Sequence, residues 1–124
     1  MDWVPVSEDQ IWDKITDERD RMSAGHRRVW DVISIIPEKW RVMPGDGPEI
    51  DCWVVALVGR NAIYYNDLEE GFEYSPWSGY GAIDLYQCNS YTLAESVQRV
   101  IDMLRTGVDI GPYSSGPFAG EYRP

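Results

Sequence analysis

The stretch from Cys52 to Phe72, CWVVALVGRNAIYYNDLEEGF, places the tightest limits on what this chain can fold into. It opens with an apolar run, Cys52 to Val58, rich in β-branched and aromatic residues. Gly59-Arg60-Asn61 supplies turn chemistry, and a second strand-like run, Ala62 to Tyr65, follows. Two such runs joined by a short, glycine-containing connection predict a β-hairpin. The first run has almost no polar residue, which predicts a central strand covered on both faces. The second run ends in Asn66-Asp67-Leu68-Glu69-Glu70-Gly71 and so delivers clustered carboxylates where the strand stops. The hairpin reads as scaffold and the acidic segment as surface chemistry.

Helical signals flank this ribbon. Ser7 is placed as an N-cap with Gln10 completing a capping box, and Glu8 and Asp9 fall in the first turn, where the helix dipole favours negative charge. Ile11, Ile15 and Met22 keep helical spacing, with Asp13, Lys14, Asp17, Glu18, Asp20 and Arg21 on the solvated side, so a helix is expected over about 8–22. Gly25 either ends that helix or lies within a continuation. Val29, Trp30, Ile33 and Ile36 extend the helical period, whereas the β-branched density of 32–36 favours a strand. The reading is a second helical stretch over about 25–33 giving way to extended chain, with Glu38 to Met43 as a short strand. Phe72 to Tyr74 and Ala82 to Cys88 read as two more strands. Pro44 to Pro48 and Ser75 to Gly81 read as loops. Thr92 with Glu95 forms a second capping box, Leu93, Val97, Val100, Ile101 and Leu104 make a buried stripe, and Gly107 stands where a left-handed C-cap belongs. The Gly-, Pro-, Ser- and Tyr-rich stretch 108–124 reads as a tail. The order of elements predicts a single α+β domain, with a mostly antiparallel sheet and the N-terminal and C-terminal helices packed on one face.

Composition narrows the function classes. The 124 residues carry 21 acids against 11 bases, a net charge of −10. That balance argues against nucleic acid and against anionic membranes, and it favours a basic partner. No apolar stretch approaches the ~20 residues needed to span a bilayer. The N-terminus is acidic and lacks the apolar core of a signal peptide, so the cytoplasm is the expected compartment. Cys52 and Cys88 are too few for a disulfide framework, and with one histidine, His26, no zinc site is expected. Cys52 reads as a small buried hydrophobe. No cofactor is expected.

The carboxylates remain. Asp67, Glu69, Glu70 and Glu73 suit an acid/base pair, a hard-cation site without EF-hand spacing, an acidic face for a cationic partner, or a solvated turn. Tyr65, Trp77 and Tyr80 lie close to them in sequence, and aromatics beside charge are the usual composition of an interface anchor. The stretches YYNDLEEGFEYSPW and GAIDLYQCNSYTLAESVQRV, within about residues 50–105, resemble a segment of small acidic bacterial immunity proteins of polymorphic toxin and contact-dependent inhibition systems. There a Tyr-Asn-Asp-x-Glu-Glu-Gly-Phe stretch precedes a strand, a Cys-Asn and a capped helix. The resemblance implies a non-enzymatic inhibitor that binds a basic toxin or effector. The expected binding residues are Tyr65, Asp67, Glu69, Glu70, Glu73, Trp77 and Tyr80. A small carboxylate-based or cation-dependent hydrolase, and a structural or regulatory subunit of a larger assembly, are the competing expectations.

Overall fold

The computed structural model describes residues 4–45 and 47–107. Helix α1 (Glu8–Asp20) starts at the predicted box: the Ser7 hydroxyl accepts the Gln10 N–H and the Gln10 side chain accepts the Ser7 N–H. It stops at Arg21, and Ser23 caps a new helix, α2 (Ala24–Ile33), by accepting the His26 N–H at 3.1 Å. Gly25 therefore lies in the first turn of α2 and is neither a terminator nor a mid-helix defect. Strands β1 (Ser34–Val42), β2 (Ile50–Val58), β3 (Asn61–Asn66) and β4 (Gly71–Pro76) form one antiparallel sheet in that order. Helix α3 (Leu93–Thr106) carries the predicted capping box at Thr92 and ends on Gly107 at φ 77°. The α+β class is as expected.

Pro37 falls inside β1, which is tolerated because β1 is an edge strand and its register slips between Ser34 and Glu38. The β2–β3 hairpin turns on Gly59 and Arg60 alone, since Val58 already pairs with Asn61, and Gly59 takes φ 57°. A bulge between Val54 and Ala56 breaks the alternation of β2. As a result Val55 and Ala56 both join the core under the helices, while Val54 and Leu57 face the other way. The unbroken apolar run in the sequence thus serves two cores from one strand.

On one face of the sheet, Ile11, Ile15, Trp30, Ile33, Leu93, Val97 and Val100 from the helices pack on Val55, Ile63, Tyr65, Phe72 and Tyr74. The other face, built from Trp40, Val42, Cys52, Val54, Ala62 and Tyr64, has no helix over it among the described residues. It is covered by the connection 77–91. The expected strand over 82–88 is not formed; among the described residues a single parallel bridge, Arg41 to Ala82, is all the β-pairing this stretch makes. It begins beside the β1 edge, where Arg41 N–H donates to Gly81 and Ile83 N–H donates to Arg41. It then crosses Tyr64 in the middle of the sheet and reaches the β4 edge, where Phe72 N–H donates to Tyr91 at 2.9 Å. The apparent alternation of 82–88 misleads because Ile83 is buried and Tyr86 packs against the same core, while Leu85 between them is exposed. The stretch 108–124 lies outside the described residues.

The connection and the sheet meet most closely at Gly71. A Cβ there would stand 2.4 Å from Ser90 Cα and 2.8 Å from its carbonyl carbon, both backbone atoms that cannot swing aside. Gly71→Ala is expected to lower the unfolding free energy by about 2–3 kcal/mol through this overpacking. The readout is the urea midpoint, and a midpoint equal to that of the wild type would show that the approach is not tight.

Candidate functional site

The acidic turn between β3 and β4 is organised by Asn66, which is buried. Its Oδ1 accepts the N–H groups of Leu68 (3.0 Å) and Glu69 (3.1 Å), and its carbonyl accepts the Glu70 N–H at 2.7 Å. This is the side-chain-mimicked turn for which Asn is suited. It throws Leu68, Glu69 and Glu70 outward, with Glu70 at φ 59°. The Asn66 amide also donates to the Gln87 carbonyl at 2.7 Å, so the turn is tied to the crossing connection.

The other predicted carboxylates turn inward. Asp67 Oδ2 accepts the Val6 N–H at 3.0 Å, while Trp53 Nε1 donates to the Val6 carbonyl at 2.9 Å, so the two clamp the N-terminal lead. Burial raises the Asp67 pKa, opposed by the Val6 N–H and by the charges of Lys14 and Lys39. Glu73 has no solvent exposure at all. Its two oxygens accept from Ser90 N–H (2.8 Å) and Asn89 Nδ2 (3.2 Å), holding the end of the connection against β4. Burial pushes its carboxyl above the ordinary range, against those hydrogen bonds and the charge of Arg99.

The aromatics also separate. Tyr65 is buried in the helix-facing core, with Phe72 at 5.1 Å between ring centroids and the Lys14 ammonium 5.3 Å from its own ring centroid. Trp77 and Tyr80 belong to the opposite end of β4, about 17–20 Å along the strand from the turn. There Trp77 meets Trp40 and Tyr80 edge-on, Trp40 and Tyr80 pack tilted against each other, Arg60 lies over Trp77, and the exposed Tyr80 hydroxyl donates to Glu38 at 2.6 Å. Of the seven predicted binding residues, only Glu69 and Glu70 stand together at the surface of the turn.

What the sequence reading passed over is the neighbour of that turn. A cleft of about 250 Å³ opens between α1, the turn and the start of α3, lined by Lys14, Asp17, Glu18, Arg21, Tyr65, Glu70, Phe72 and Ser90 to Thr92. The residues of α1 on this wall read correctly as a polar helix face, but nothing local announced that Glu70 would face them. Glu18 also accepts the Leu93 N–H at 3.1 Å and so caps α3 from a distance. Elsewhere, His26 bridges Ser23 (3.0 Å) and Gln98 (2.7 Å) in a helix-to-helix contact. Burial pushes the Cys52 thiol up to about 12, in keeping with a packing role. Among the described residues, no three His, Cys, Asp or Glu side chains gather as metal ligands would, and no helix is long and apolar enough to cross a membrane.

No family model, no curated protein and no solved structure matches this chain. The geometry itself therefore carries the functional reading.

Glu73 offers a pH test of the inward placement. Its folded pKa lies above its ordinary 4.5, so the folded protein holds this proton more tightly than the unfolded chain. Its contribution to stability is full below that value and is lost as pH rises through the folded pKa. Glu73→Gln cannot accept from both Asn89 and Ser90 and should be less stable than wild type. The gap in unfolding free energy should narrow as pH is raised from 4 to 7. A gap that does not change with pH would place Glu73 in solvent contact, and one that widens would show that its hydrogen bonds and the charge of Arg99 outweigh burial.

Proposed function

We propose that this chain is a non-enzymatic acidic binding protein of the immunity type, which grips a basic toxin or effector. The observation that carries the reading is the convergence of carboxylates from two separate elements on one rim. Glu69 and Glu70 stand out from the turn, Asp13 and Asp17 are exposed on α1, and Asp17 and Glu70 border the same cleft. A net charge of −10 adds a long-range field of the same sign. Such a field steers a cationic macromolecule and raises its association rate, with short-range contacts then setting residence time. Asp67, Glu73 and Tyr65 turn inward, and Trp77 and Tyr80 stand apart from the rim. Two unpaired cysteines, Cys52 buried and Cys88 exposed, fit a reducing compartment such as the cytoplasm. The resemblance of the Tyr-Asn-Asp-x-Glu-Glu-Gly-Phe stretch to immunity proteins points the same way.

The test begins with capture of the partner from the source cells at low salt. The expected partner is a basic protein that arrests growth when expressed alone and is neutralised by co-expression of this chain. Replacing Asp13, Asp17, Glu69 and Glu70 by their amides should slow association about tenfold at low salt and leave little difference at 0.5 M salt, because screening removes the steering term. An acidic or harmless partner, or an association rate that ignores the four amides, would overturn the reading.

A further inference from the structure

We draw no further inference here: the strongest candidate, the largely apolar cleft of about 260 Å³ between the N-terminal lead and strands β1 and β2, lined by Pro5, Val6, Ile50, Cys52 and Trp53, carries nothing because its charged neighbours Lys39 and Asp67 already engage Trp53 and Val6 of the same chain and nothing in the structure shows what covers it.

Discussion

The structure depends on how the backbone of the connection 77–91 is satisfied where it crosses the sheet. An irregular chain laid over an apolar face has no neighbouring strand to take its N–H and C=O groups, and each one left unpaired costs about 1–3 kcal/mol. Here the sheet supplies the missing partners from its side chains. The Tyr64 hydroxyl donates to the Leu85 carbonyl and accepts the Gln87 N–H. Ser75 accepts the Leu85 N–H, Asn66 donates to the Gln87 carbonyl, and Glu73 accepts the Ser90 N–H. Tyr64 pairs directly with Glu73, and Ala62 with Ser75, so these polar groups form a compact row on β3 and β4. Trp40, Val54 and Ile83 fill the apolar part of the same face.

This arrangement explains why so acidic a turn presents only part of its charge. Asn66, Asp67, Gly71 and Glu73 each have a task in closing the fold: turning the chain, holding the N-terminal lead, admitting the Ser90 backbone and receiving Asn89 and Ser90. Glu69 and Glu70 are spared these tasks and point outward. The same closure brings Ser90 to Thr92 and the start of α3 beside α1, and so shapes the cleft that Glu70 overlooks. Closing the fold and the proposed recognition are thus divided among neighbouring residues of one short stretch.

Features that depend on near neighbours were readable in advance. The capping boxes at Ser7 and Thr92, the hairpin around Gly59 and the left-handed cap at Gly107 rest on residues within a few positions of one another, and all four are present. Features set by distant partners were not. Phe72-Glu73-Tyr74-Ser75 has the alternation of a half-exposed strand, yet Glu73 and Ser75 are fully buried because a connection beginning after them returns to cover them. The pattern of 82–88 suggested a strand for the complementary reason: its partners are side chains, which leave no periodic trace. The aromatic pair Trp77 and Tyr80 looked close to the acids in sequence, but β4 carries them to the far end of the sheet. The cleft likewise joins α1 to a turn some fifty residues later, which helical periodicity alone cannot foretell.

The most direct test of this account is native-state hydrogen exchange at the amides that the sheet side chains and edges receive. The N–H groups of Phe72, Leu85, Gln87 and Ser90 should exchange as slowly as those of central β2, opening only with global unfolding, although Leu85 and Gln87 lie in no strand or helix. Rapid exchange at Leu85 and Gln87, at the rate of a solvated loop while β2 remains protected, would show that the connection is not held by the polar row and would contradict the account.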